Sequence, residues 1–258
     1  MPQFYLSPES LHDRAFHLKG PEAFHITKVL RYREGQTLVL FDGRGGRFEG
    51  VIQKIHGDGS VSGSLTETLH ATEDRKPVEI VLFQGLLKAS HWDWVLEKGT
   101  ELGVAAFAPL ITPRTVVLLH EAQRSRAKQD RWRRVVLAAA KQCQRSKLPE
   151  VREPVEFRDA IKDACEGGGL TALAWEGLSG ATASESVKLA LREADQKRGK
   201  ESRRVNLFIG PEGGFTEEEV ELAESLGAVV FGLGPRVLRA ETAALAAVSV
   251  LQYEFGSL

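Results

Sequence analysis

The chain is poor in cysteine: Cys143 and Cys165 are the only two among 258 residues. They form no CxxC pair, which argues against a disulfide framework or a zinc cluster, and a reducing, cytosolic location is the expectation. No apolar run approaches the ~20 residues that span a bilayer. Met1 to Ser10 has neither a charged n-region nor an apolar h-region, so no signal peptide is expected. Internal repeats and low-complexity segments are absent too. The glycine turns lack the Lys-Ser/Thr of a phosphate-binding P-loop. Gly57-x-Gly59-x-x-x-Gly63 leads into a strand-like run rather than a helix, which excludes a dinucleotide loop there.

What remains is an ordinary globular composition, 42% hydrophobic and 27% charged, long enough for one large domain or two modest ones. The net charge of -1 conceals segregation. From Pro113 to Lys147 ten Lys or Arg stand against only Glu121 and Asp130, a balance of +8, while Val205 to the end carries eight Glu against Arg236 and Arg239. A basic stretch of this kind is the electrostatic footprint of a nucleic-acid surface. Its competing reading is a solvated face, or one paired with the acidic C-terminal part.

The chain changes character along its length. Residues 1–68 read as a small β domain: Gln36 to Phe41 and Arg47 to Ile55 are joined by the turn Asp42-Gly-Arg-Gly-Gly46, Ser60 to Glu67 is a third strand, and Pro21 starts a short helix toward Leu30. His70 to Lys76 is a polar linker. Residues 77–258 alternate strand and helix, the pattern of a parallel sheet: a strand over Val78 to Leu86, a helix capped by Ser90 and closed by Gly103, a strand over Val104 to Ile111, a basic helix over Glu121 to Arg145, and a strand over Leu170 to Trp175. Ala194 to Arg204 is charged enough to be an exposed excursion.

The C-terminal part carries two strand–turn–helix units. Val205 to Ile209 runs into Gly210-Pro-Glu-Gly-Gly214, and Ala228 to Leu233 runs into Gly234-Pro-Arg236. Glycine admits positive φ and close approach of a ligand to backbone, and proline fixes φ. Two such turns suggest adjacent loops at one edge of a parallel sheet, where α/β folds bind ligands. Thr216 and Glu219 have the spacing of a capping box, Glu217 and Glu218 suit the helix dipole, Val220, Leu222, Ala223 and Leu226 give an apolar face, and Gly227 ends the helix. The last helix, Glu241 to Tyr253, is apolar almost all round and should be buried on several sides. Glu212 and the three Glu after the turn disfavour a phosphate and favour a neutral or cationic ligand. Cys143, beside Ala139 and Ala140, reads as structural rather than as a nucleophile.

Gly-Pro-Glu-Gly-Gly-Phe-Thr-x-x-Glu followed by Leu-Gly-x-Arg-x-Leu-Arg-x-Glu-Thr-Ala resembles the 16S ribosomal RNA uridine-N3 methyltransferase family of the SPOUT superfamily. His25-Ile-Thr-Lys-Val-Leu-Arg31, Phe41-Asp-Gly-Arg-Gly45, Glu97 to Val104 and Arg131-Trp to Gln144-Arg145 follow in the family's order, so the resemblance spans nearly the whole chain. It implies an α/β fold: a C-terminal parallel-sheet domain with a trefoil knot, preceded by a PUA-like β-barrel that binds RNA. It implies S-adenosylmethionine as cofactor, no metal and no membrane, a homodimer, and 16S ribosomal RNA as partner. Carried onto this sequence, the cofactor loops are Trp175, Glu176 and Gly177; Ile209, Gly210, Pro211, Glu212, Gly213 and Gly214; and Leu233, Gly234, Arg236, Val237 and Leu238. Arg145 and Glu212 are the candidate catalytic residues, as stabiliser of a uracil anion and as base, although Arg145 also reads as a phosphate contact and Arg239 as a structural partner of Glu241. Arg31, Arg33, Arg44, Arg47, Arg131, Arg133 and Arg134 are the candidate RNA contacts. A SPOUT enzyme acting on another RNA, such as a transfer RNA ribose, and a non-catalytic RNA-binding protein on the same scaffold are the alternatives.

Overall fold

The computed structural model describes residues 2–69, 78–116, 126–178 and 204–254. The expected linker at His70 to Lys76, all of the charged excursion but Arg204, and the first residues of the basic helix lie outside these residues. The chain divides into two compact units, Met1–Asp74 with Leu137–Leu148, and Arg75–Val136 with Pro149–Leu258.

In the first unit a six-stranded sheet is built from β1 (Gln3–Tyr5), β2 (Leu11–His12), β3 (Ala15–Leu18), β4 (Thr37–Phe41), β5 (Arg47–Ile55) and β6 (Val61–Thr68), in the order β1-β4-β5-β6-β3-β2. Only β1 and β4 pair in parallel. The turn at Asp42–Gly46 joins β4 to β5 as read from sequence, and its Asp42 Oδ1 accepts from the backbone N–H groups of Arg44 and Gly46 at 2.8 Å each. Pro21 lies in the first turn of α1 (Gly20–Phe24), which continues as one π-helical turn over His25–Val29. Phe4, Leu6, Phe16, Leu38, Leu40 and Ile52 form the core of this unit. β4 is buried at four consecutive positions, Leu38 to Phe41, whereas β3 alternates buried Phe16 and Leu18 with more exposed neighbours.

The second unit is a parallel sheet. Its elements are β7 (Glu79–Gly85), α2 (Ala89–Glu101), β8 (Ala106–Ile111), the start of α3 (Arg126–Gln142), β9 (Glu150–Val151), β10 (Val155–Glu156), α4 (Phe157–Glu166), β11 (Leu170–Ala174), β12 (Arg204–Ile209), α5 (Glu217–Ser225), β13 (Val229–Phe231) and α6 (Ala240–Glu254). The strand order is β10-β8-β7-β12-β11-β13, with β9 also pairing β8. Every ladder is parallel. The central strands are buried on both faces, and this is why β7, β8 and β12 read as near-continuous apolar runs. One face packs around Trp92, Leu96, Phe107 and Val248, the other around Phe83, Ile161, Phe208 and Val220. No helix among the described residues is long and apolar enough to cross a membrane.

Four expectations change. The helix α2 starts at Ala89 with Lys88 as N-cap, so Ser90 lies inside the first turn rather than capping it. The basic helix α3 stops at Gln142, short of Arg145, because Gln144 takes a left-handed conformation (φ 61°) and closes the last turn without a glycine. On α5, Val220 and Ala223 are buried but Leu226 is exposed, since the chain turns away at Gly227 (φ 86°). On α6, Ala240, Ala244, Ala247, Val248 and Leu251 are buried, while Val250 and Tyr253 are 50% and 73% exposed. The helix is therefore covered on one side within a single chain.

Candidate methyl-donor site

The glycine turns meet at the carboxyl end of the parallel sheet. Strand β11 lies between β12 and β13, so the loops leaving all three strands stand side by side. Trp175 N–H donates to the Phe231 carbonyl at 2.9 Å, holding the β11 loop against the end of β13. Between them is a cavity of about 310 Å³, which lies within the ~300–1,000 Å³ range of small-molecule sites.

The cavity is lined by Trp175 and Glu176 of the first loop, by Ile209, Gly210, Pro211, Glu212 and Gly214 of the second, and by Leu233, Gly234, Arg236, Val237 and Leu238 of the third. Gly177 and Gly213, expected with them, are not among the lining residues. A Cβ at Gly177 would lie 2.4 Å from the Trp175 ring, and one at Gly213 would lie 3.0 Å from Arg114 Cβ. Sequence reasoning missed His91, Ala174, Leu178, Pro235, Arg239, Ala240, Glu241 and Ala243, which also line the cavity. Most of these flank the motifs already read. His91 comes from α2, far from all three loops in sequence, and no local pattern marks it.

The second loop is built to hold one shape. Gln84, fully buried at the end of β7, donates through Nε2 to the Gly210 carbonyl at 2.9 Å. Gly85 follows because a Cβ there would lie 2.3 Å from the backbone nitrogen of Pro211. Arg114 Nη1 donates to the carbonyls of Gly213 and Phe215 at 3.0 and 3.1 Å. Gly214 has φ 68°, a conformation that a side chain strains. The expected capping box is formed: Thr216 N–H donates to Glu219 Oε2 at 2.8 Å, and Glu219 N–H donates to Thr216 Oγ1 at 3.2 Å. Burial pushes the Glu219 carboxyl above its usual range, against the lowering effect of the Thr216 N–H.

Glu212 accepts from the Lys88 backbone N–H at 3.2 Å. A capping-box carboxylate at the third helical position serves the N-cap N–H in this way. Here that position is His91, and the carboxylate comes from the glycine loop instead. The start of α2 and the loop are thereby tied together.

The other expected residues are not among those that line the cavity. Arg145 belongs to the first unit, where its carbonyl accepts from Gln3 Nε2 at 3.0 Å. Cys143 is half-buried there, its thiol directed at the Ala140 carbonyl. Arg31, Arg33 and Arg44 are exposed in the first unit; Arg47 is half-buried and reaches Gln144 Oε1 through Nη2 at 3.4 Å. On α3, Arg133 and Arg134 are exposed, whereas the Arg131 guanidinium is engaged by Asp93.

A model of the RNA methyltransferase domain matches residues 74–252, and one of the RNA methyltransferase PUA domain matches residues 18–65. The chain is 30% identical over 244 residues to the ribosomal RNA small subunit methyltransferase E of Bacillus subtilis, covering 93% of this chain and 90% of that protein. It is 31% identical to the enzyme of the same name from Mycobacterium tuberculosis, over 90% and 85% of the two chains. Among solved structures, a methyltransferase of Legionella pneumophila with its cofactor SAM bound superposes with a TM-score of 0.79 at 31% identity, covering 98% of this chain and 97% of that one. The ribosomal RNA small subunit methyltransferase E of Neisseria gonorrhoeae bound to S-adenosyl methionine gives 0.78 at 29%, covering 98% of both.

Proposed function

The chain belongs to the ribosomal RNA small subunit methyltransferase E family, and on that premise we propose that the cavity at the three loops is where it methylates N3 of one uridine in 16S ribosomal RNA. It is an S-adenosylmethionine-dependent enzyme acting on 16S ribosomal RNA, with an α/β methyltransferase domain and a PUA-like domain before it. The observation that carries the site is the convergence of Trp175–Glu176, Ile209–Gly214 and Leu233–Leu238 on one cavity.

The residues present fit the donor. Ile209, Leu233, Leu238 and the Trp175 ring offer apolar surface for an adenine. Bare backbone at Gly210, Gly214 and Gly234 allows amide and carbonyl groups to meet its edge. Glu176, Glu212 and Glu241 put carboxylates around a ligand bearing positive charge. When bound, the donor supplies a methyl group already activated on a sulfonium, so no metal is required. The protein's part is to align uracil N3 with that methyl and to exclude competing orientations, a contribution that well-aligned reactants make large. N3 lies on the pairing edge, so the uridine must be unpaired or turned out of its stack. N3 also carries a proton, which must be removed or its anion stabilised. The family resemblance gives the stabilising role to Arg145, a residue of the first unit.

Residues 1–68 are proposed as the RNA-anchoring domain and 77–258 as the catalytic one, with Arg31, Arg33, Arg44, Arg47, Arg131, Arg133 and Arg134 as phosphate contacts. The knot implied by the resemblance, a cytoplasmic location and a homodimer belong to the same proposal. The exposed Val250 and Tyr253 of α6 and Trp94 of α2 support the dimer; light scattering at micromolar concentration checks it, and a monomer with full activity would remove it. The reaction itself is tested by nucleoside mass spectrometry of 16S ribosomal RNA incubated with the protein and S-adenosylmethionine. N3-methyluridine is the expected product; a ribose-methylated nucleoside would replace the proposal with the alternative target.

A further inference from the structure

His91 stands in the first turn of α2 and lines the cavity. Its Nδ1 is buried and has no hydrogen-bond partner among the described residues. The same atom lies 3.9 Å from Glu212 Oε1 and 4.0 Å from Glu241 Oε2. The two carboxylates come from different elements, the glycine loop and the start of α6. Both are too distant for a hydrogen bond, yet close enough to stabilise positive charge that arises on the ring. The side chain lines the cavity and is 38% exposed while Nδ1 is buried, so its exposed surface belongs to its other atoms.

We propose that His91 accepts the N3 proton of the target uracil through Nε2, and that Glu212 and Glu241 hold the ring in the tautomer with hydrogen on Nδ1. This rests on the uridine-N3 reading. A carboxylate facing one nitrogen of an imidazole leaves a lone pair on the other and stabilises the imidazolium that forms. The proton passes from N3 to Nε2; the electron pair left on N3 bonds the methyl carbon as the carbon–sulfur bond of the donor breaks, its electrons remaining on sulfur. The positive charge of the donor thus ends on His91, between two carboxylates. Glu212 then acts as a positioning residue and not as the base itself. Its engagement with Lys88 N–H fits that role, because a fixed carboxylate orients a ring better than it collects a proton. The other charged side chains on the cavity wall are Glu176, Arg236 and Arg239, and Lys88 is the N-cap residue of α2.

The test uses the full chain with S-adenosylmethionine and 16S ribosomal RNA at saturation, in single turnover. His91→Gln and His91→Ala should lose about 10²- to 10⁴-fold in rate, the scale of general-base catalysis, with donor affinity by calorimetry within about threefold of the parent, well below the tenfold that 1.4 kcal/mol would make. Added imidazole should restore part of the His91→Ala rate. The pH–rate profiles of the parent and of His91→Gln should differ in shape. Nitrogen NMR of the ligand-free protein should find His91 protonated on Nδ1 in its neutral form. A parental rate in His91→Gln, a loss that imidazole does not rescue with an unchanged pH profile, or a neutral ring protonated on Nε2 would each overturn the assignment. If the parent itself makes a product other than N3-methyluridine, it is the function reading that fails, and the mass spectrum shows this independently of His91.

Discussion

Gln84 and Gly210, 126 residues apart in sequence, are joined by a 2.9 Å hydrogen bond from the buried side-chain amide of one to the carbonyl of the other. The end of a central strand thereby fixes the first turn of the donor-binding loop. Loop shape, rather than loop side chains, is what presents backbone groups to a ligand, so the geometry of the site depends on a residue outside the motif.

Replacing Gln84 with Leu should therefore loosen the loop. The Gly210 carbonyl would lose its donor in a buried position, at a cost of about 1–3 kcal/mol in stability. Loss of the buried Oε1, which has no partner among the described residues, offsets part of it. Chemical denaturation should show the destabilisation, and calorimetry a weaker affinity for S-adenosylmethionine. Unchanged affinity would mean that the loop is shaped by its own sequence.

Gly85→Ala should be worse than Gly214→Ala. At Gly85 the new Cβ meets the backbone nitrogen of Pro211 at 2.3 Å, and neither strand nor loop can yield. At Gly214 it meets Glu176 Oε1, the end of a side chain that can swing away, leaving mainly the strain of φ 68°. The Gly214 strain is of order 1–2 kcal/mol. Thermal melts of the two variants should rank in that order, with donor affinity falling in both.

Glu219 gives a pH dependence of definite sign. Its carboxyl is raised by burial, so the folded state holds a proton more readily than the unfolded chain. Its contribution favours folding below the unfolded carboxylate pKa and is lost as pH rises through the higher folded value. Glu219→Gln keeps an acceptor for Thr216 N–H without the buried charge. The variant should be at least as stable as the parent at pH 7 and should lose this slope. Urea denaturation between pH 3 and 7, intervals chosen around the usual carboxylate pKa of ~4.3, decides it.

Arg133 and Arg134 should act on RNA alone. Both are exposed on α3, and Arg133 has only a loose 3.6 Å pair with Asp130. Reversing them to Glu should weaken RNA binding and flatten its salt dependence by roughly 0.7–0.9 in log K per log salt for each lost contact, leaving donor affinity intact. Arg131→Glu should also cost stability, because it breaks the pair with Asp93. A salt slope unchanged in the double variant would place the RNA surface elsewhere.

Arg145→Ala should reduce single-turnover methyl transfer by about 10²-fold, the effect of losing one electrostatic stabiliser, and Arg145→Lys should restore only part, since a point charge does not replace the planar fork. A parental rate at saturating RNA, with weaker RNA affinity, would make Arg145 a phosphate contact.

The order of elements was legible in the sequence because the features that set it are local. Thr216 and Glu219 close their capping box within one helical turn, the Asp42–Gly46 turn is decided by its own side chain, and doubly buried strands declare themselves as apolar runs. The loops of the site were legible for the same reason: Gly210 to Gly214 and Leu233 to Leu238 are contiguous motifs. Tertiary structure alone decided the rest. It inserted β11 between β12 and β13, brought Gln84 and Gly85 beneath the loop, and supplied the N-cap N–H of α2 with the carboxylate of Glu212. It also set His91 between Glu212 and Glu241. A lone histidine in a helix has no periodicity or spacing that announces a partner. Strand order in a parallel sheet is set by crossovers whose destination is not encoded next to the strands they join, so contacts between such elements arise only when the sheet is assembled.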